Sequence, residues 1–211
     1  MSDSVWSRTL ADFRDRTASA SPAPGGGAVA AVSAALGFGL VLMSLEITRK
    51  GAHAEDAAAL DRLFTEGHTL LDRLSAHADH DVAAVDAYMA SLALPKRTAK
   101  EKNVRRQRIQ ESLAAAAESP LAAVRDIAAA LDLAAQTADR CKPHILSDLA
   151  AGVDLLAASL TAVLRNVSVN LRGLSDVTLK ERLRRECVAL ADVAMQRLAA
   201  TLTTLQERAR R

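Results

Sequence analysis

Apolar residues recur along this chain at intervals of three and four and almost nowhere at alternate positions, so the pattern is helical and no strand with turn signals is predicted. Residues 3–16 read as a short amphipathic helix with Val5, Trp6, Leu10 and Phe13 on one side, broken by the segment 17–26. From Gly27 to about Lys50 the chain is apolar on every face, which in a water-soluble fold predicts a central helix surrounded by others. Gly51 ends it. Residues 54–93 carry Leu60, Leu63, Phe64, Leu70, Leu71, Leu74, Val82 and Val85 at helical spacing, as one long helix or two in series stopping at Pro95. Thr98 is a cap for the next helix, which Pro120 is expected to kink or restart, because an interior proline removes a donor and clashes with the preceding turn. Leu121 to about Asp139 completes that arm, "RCKPHILSD" connects, 147–172 form another helix ended by Gly173, and 176–208 form a charged, heptad-like terminal helix. The sum is an all-α antiparallel bundle of about five or six long helices. Its uniformly apolar central helix is hard to bury in a monomer of this size, so a homodimer that doubles the bundle is expected.

Composition narrows the picture. The chain of 211 residues is half hydrophobic, a quarter charged and only 2% aromatic, which suits one domain over 1–211 built from aliphatic side chains on closely spaced helices. A net charge of +2 with evenly mixed signs does not mark a nucleic-acid protein. The basic run "KRTAKEKNVRRQRIQ" has no interleaved aromatics and reads as a solvated helix face, with a second use in steering a polyanionic ligand. Cys141 and Cys187 stand in no metal or redox spacing, so a reduced, cytoplasmic protein is expected. The N-terminus is too acidic and polar for a secretory signal, and the apolar run Ala28–Leu45 is too rich in alanine and glycine to favour a membrane. His77, His80 and Asp81 are close in sequence but lack a third ligand at fitting spacing, so no metal is expected.

Several stretches carry more than a fold. "PAPGGGAVAAVSAALGFGLVLMSLEITRKG", "DVAAVDAYMASLALPK", "SPLAAVRDIAAALDLA" and "SDLAAGVDLLAASLTAVLRNVSVNLRGL" follow in order over residues 17 to 175. With its triple glycine, its aspartate pair before Leu94-Pro95-Lys96, and Asn166 with Asn170, the chain resembles the formiminotransferase-cyclodeaminase C-terminal domain family, whose stand-alone bacterial members include methenyltetrahydrofolate cyclohydrolases. It departs from that pattern at Glu46-Ile47-Thr48, where relatives often have Asn-Leu-Thr, and at the "RCKPH" connector.

The resemblance implies a folate one-carbon enzyme working at the carbon that bridges N5 and N10, with a tetrahydrofolate derivative as substrate and no separate cofactor. In a cyclodeaminase N10 attacks a formimino carbon and ammonia leaves. In a cyclohydrolase water adds to the methenyl carbon and the ring opens. The family label favours the first, although no residue chooses. Both pass through a carbon tetrahedral between two nitrogens, and both need a carboxylate to move protons or to face a cation.

Asp86 is the leading candidate for that carboxylate, because it shares a helix face with Val82, Met89 and Ala93 where an aspartate is unexpected; a solvated helix edge is the alternative. Asp148, after Ser147, is implied as a second catalytic group, with helix capping as its ordinary use. Lys50 at the exit of the apolar helix is implied as a cation for a folate carboxylate or for proton transfer, with Thr48 binding the same ligand. Glu46 is equally suited to pairing with Lys50 at i+4. Asn166 and Asn170 present two amides on one face, for a pterin edge, a glutamate tail or an interhelical contact. Gly25, Gly26 and Gly27, stiffened by Pro22 and Pro24, leave the N–H groups of a helix start open to a ligand, or let helices pack closely. A helical binding protein on the same scaffold, its turnover lost through Glu46 and "RCKPH", is the reading from another class.

Overall fold

In a computed structural model the chain is described from residue 4 to residue 210. A short 3₁₀ turn (Val5–Ser7) precedes α1 (Leu10–Thr17), α2 (Gly26–Lys50), α3 (Ala54–Ala93), α4 (Ala99–Arg140), a second 3₁₀ turn (Pro143–Ile145), α5 (Leu146–Arg172) and α6 (Val177–Ala209). The long helices run up and down in turn. Gly27 of α2 faces Asp81 of α3 while Leu42 faces Gly67, and Gly27 also faces Asn166 of α5 while Gly37 faces Gly152, so α2 is antiparallel to both neighbours.

The first expected helix is two pieces. Arg8 and Thr9 are extended, and Thr9 caps α1 by accepting the Asp12 N–H. The turn before it is strapped to α3, with Val5 N–H and Ser4 Oγ both donating to the Asp79 carboxylate at 2.7 Å and Trp6 Nε1 donating to the Ser75 carbonyl at 2.9 Å. Leu10 is therefore exposed rather than part of a shared apolar face.

The central helix is α2. Ala28, Ala34, Phe38, Val41 and Leu45 are fully or almost fully buried, each large side chain contributing about 1.5–3 kcal/mol. Contact with α5 is close because glycines face one another: a Cβ on Gly37 would stand 2.7 Å from Leu155 Cβ and 2.9 Å from the Gly152 carbonyl. Phe38, between Gly37 and Gly39, is completely buried and serves packing. Among the described residues, α2 and Pro143–Arg172 are long and apolar enough to cross a membrane, and two thirds of the most apolar window of α2 (67%) is buried against protein.

Thr98 does cap α4, in a reciprocal box in which its hydroxyl accepts the Glu101 N–H at 3.2 Å and Glu101 accepts the Thr98 N–H at 2.8 Å. Pro120, however, neither ends nor restarts the helix, which runs unbroken over Ala99–Arg140. The proline leaves the Ala116 carbonyl without its helical donor, and Asn170 Nδ2 of α5 donates to that carbonyl at 2.7 Å. A buried carbonyl left unpaired costs about 1–3 kcal/mol, so the interhelical bond offsets the proline.

Candidate active site

The glycine run opens α2 without a side-chain cap. Gly25 is the N-cap, and no side chain from its own segment reaches the first turn. Asp81 of α3 supplies what is missing: its Oδ2 accepts the Ala28 N–H at 2.8 Å. A Cβ on Gly27 would overlap Asp81 Oδ1 and crowd Asn166 Nδ2, whereas one on Gly26 would meet nothing within 4 Å. Gly27 is thus the floor on which a carboxylate and an amide from two other helices converge. Gly26 leaves the backbone bare toward open space.

That space is a cavity of about 350 Å³ between the start of α2, the last third of α3, the middle of α4 and the end of α5. Asp81, Ser119, Asn166 and Asn170 are its polar side chains, and Val85, Tyr88, Leu113 and Val169 its larger apolar ones. Volume and lining are those of a small-molecule site, mostly apolar with few convergent polar groups. Burial pushes the Asp81 carboxyl above the ordinary carboxylate range, and the Ala28 N–H offsets only part of that rise. A raised carboxyl in a cavity lined by few other polar groups is a candidate general acid–base.

Of the residues singled out from sequence, Gly25, Gly26, Gly27, Asn166 and Asn170 line this cavity. Asn170 also spends one amide hydrogen on Ala116, so the two asparagines do different jobs.

Asp86 corrects the expectation. It is exposed on the outer side of α3 and lies outside the cavity, while Asp81, the other member of the aspartate pair, is inside. Thr48 and Lys50 lie more than twenty residues further along α2, which at 1.5 Å per residue puts them about 30–35 Å from Gly27. Thr48 is buried and donates to the Ser44 carbonyl at 2.8 Å. Lys50 is exposed and pairs with Glu46 at 3.2 Å, the i+4 contact expected of that glutamate, which Arg49 also holds at 2.7 Å. Asp148 is exposed in the first turn of α5, at the end opposite Asn166. Within one chain these three do not meet the glycines.

Asp81, Tyr88 and Ser119 also line the cavity and were not singled out for it from the sequence. The signal was present for Asp81 and Tyr88: the buried stripe Leu60, Leu63, Gly67, Leu70, Leu74, Ala78 continues at the same spacing to Asp81, Val85 and Tyr88. No group of three or more His, Cys, Asp or Glu side chains among the described residues is placed to hold a metal ion.

Fold and site together define an all-α protein with a carboxylate and amides at the N-terminus of a buried helix. The chain belongs to the formiminotransferase-cyclodeaminase family, whose model matches residues 9–189. Over 183 residues it is 36% identical to the methenyltetrahydrofolate cyclohydrolase of Methylorubrum extorquens, covering 86% of this chain and 88% of that enzyme. The formimidoyltransferase-cyclodeaminase of Sus scrofa is 30% identical over 208 residues, 97% of this chain but 38% of the longer enzyme. The fold is that of the formiminotetrahydrofolate cyclodeaminase of Thermotoga maritima, with a TM-score of 0.84 at 23% identity over 96% of this chain and 98% of that one.

Proposed function

We propose that this protein is a folate one-carbon enzyme that hydrolyses 5,10-methenyltetrahydrofolate to the 10-formyl compound. The observation that carries the reading is the raised, half-buried carboxylate of Asp81 set in a cavity against bare helix N–H groups. The end-to-end similarity to the Methylorubrum extorquens cyclohydrolase supports it.

The methenyl carbon is cationic and electrophilic. Water adds to it as Asp81 accepts a proton, giving a carbon tetrahedral between two nitrogens; the C–N5 bond then breaks as N5 takes a proton, and the formyl group stays on N10. Of the two water protons one ends on N5 and one leaves the site. Gly25–Gly27 offer backbone donors to an anionic or carbonyl edge of the folate, Asn166 offers a donor and acceptor pair, and Tyr88 offers a face for the ring. The binding-only alternative is not favoured, because Glu46 and the "RCKPH" connector, the two departures that motivated it, lie at the other end of the bundle.

A second reading, cyclodeamination of 5-formiminotetrahydrofolate, has the support of the Sus scrofa similarity over 97% of this chain. Both reactions are followed by the absorbance of the methenyl chromophore. The expected result is enzyme-dependent loss of absorbance from the methenyl substrate. A gain from the formimino substrate alone identifies the deaminase, and binding without either change identifies an inactive scaffold.

The protein is further proposed to be a cytoplasmic homodimer joined along the outer face of α2. Leu36, Met43 and Ile47 are exposed there, with Val29 and Leu40 half-buried beside them. A monomer by light scattering at assay concentration contradicts the dimer.

A further inference from the structure

Behind Asp81 lies a second set of residues that the reaction above does not use. His77 is one turn earlier on α3, so it shares the face of Asp81. Its side chain is only 10% exposed, and its Nε2 lies 2.9 Å from Asp126 Oδ2 of α4. Asp126 is held in turn by Arg73 Nε, which donates to Oδ1 at 3.0 Å. Burial acts to raise the Asp126 carboxyl, but the bonds from His77 and Arg73 outweigh it and hold the group below its usual range, so Asp126 is an acceptor. In the neutral ring that acceptor fixes the hydrogen on Nε2 and leaves a lone pair on Nδ1. Nδ1 is buried and has no hydrogen-bond partner among the described residues.

A small chamber of about 20 Å³ adjoins the main cavity, and its walls include His77 together with Gly27, Asp81, Ser119 and Asn166. A space of that size is enough for roughly one water molecule, which needs two to four polar partners. The chamber provides them in His77, Asp81 and Asn166.

We infer that His77 is a positioning and proton-storing residue for Asp81: the proton that Asp81 takes from the attacking water passes, through one water in the small chamber, to His77 Nδ1. This rests on the role of Asp81 given above. Only O–H and N–H bonds change in the relay: Asp81 returns to carboxylate, takes the second water proton from the hydroxyl on the tetrahedral carbon and delivers it to N5 as the C–N5 bond breaks, while the imidazolium is paired with Asp126. When product leaves, Nδ1 gives the proton back through the same chamber to solvent entering the cavity. The ionisable groups facing His77 are Asp126, Arg73 through it, Asp81, and His80, whose ring centre is 6.0 Å away. The chamber walls contributed by α2 and α5 carry none.

The test compares wild type, Asp81→Asn and His77→Gln for methenyltetrahydrofolate hydrolysis across pH, with folding checked by circular dichroism. His77→Gln is expected to lower kcat roughly 10- to 100-fold with KM little changed, and to move the acid limb of the pH profile. An inactive Asp81→Asn beside a His77→Gln with wild-type kcat and an unchanged profile overturns the relay and leaves the role of Asp81 standing. A fully active Asp81→Asn removes the role of Asp81 and the relay with it. Should His77→Gln fail to fold, nitrogen NMR of the wild-type ring decides: a hydrogen on Nε2 with a bare Nδ1 is expected, and a hydrogen on Nδ1 overturns the proposal.

Discussion

Asp81→Asn is expected to leave the protein folded and to lower kcat/KM for methenyltetrahydrofolate by about 10²- to 10⁴-fold, the usual worth of a positioned acid–base group. The replacement has the same shape, and its carbonyl oxygen can still accept the Ala28 N–H that Asp81 accepts at 2.8 Å. What it loses is the capacity to hold a proton in one step and release it in the next.

Stability should move in the opposite direction. Burial raises the folded pKa of Asp81 above the ordinary carboxylate range, so the native state binds this proton more tightly than the unfolded chain. The associated stability is fully present below the unfolded pKa and is lost as pH rises through the folded one. Above the folded pKa the ionised, desolvated carboxylate is therefore a cost, and the Asn variant should melt no lower than wild type there and show a flatter fall in Tm as pH rises from the ordinary carboxylate range. Parallel melting and rate measurements check both halves. Asp86→Asn is the control: it is exposed and outside the cavity, and turnover should stay within about twofold.

The second large effect separates two adjacent glycines. Gly26→Val places its Cβ, at the mouth of the cavity, where no atom lies within 4 Å, so the fold is expected to keep its Tm while substrate binding is lost to the filled cavity. Gly27→Ala has no such freedom. Its methyl group takes the space of Asp81 Oδ1 and presses on Asn166 Nδ2, so stability falls by about 1–3 kcal/mol and turnover falls with it. Thermal unfolding with folate titration of both variants checks the pair. Equal loss of stability in the two would mean that the glycines serve packing alone.

How far the sequence could be read depends on the kind of information each feature carries. Helix periods, the Thr98 cap and the enclosed character of α2 are local or nearly local, and they could be read directly. The continuity of α4 through Pro120 could not, because it depends on Asn170, fifty residues on, reaching the Ala116 carbonyl. The split of the N-terminal segment likewise depends on Asp79 of α3. That the glycines and Asn166 line a cavity was legible from composition at a helix start and from an amide on an apolar face. Choosing Asp86 over Asp81 followed one apolar stripe where its neighbour was the buried one. Grouping Lys50, Thr48 and Asp148 with the glycines treated nearness to a motif as nearness in space. Helices of 25 and 27 residues carry the two ends of a motif far apart.

The central claim is that one-carbon chemistry happens between Gly26 and Asp81. Its most direct test is a crystal structure of the protein with bound 5-formyltetrahydrofolate, which carries the one-carbon unit on N5. That unit is expected within hydrogen-bonding reach of Asp81, with the ring against Tyr88 and the Gly25–Gly27 backbone. A folate seated instead at the Lys50 and Asp148 end of the same chain, with the Asp81 cavity filled only by solvent, would contradict it.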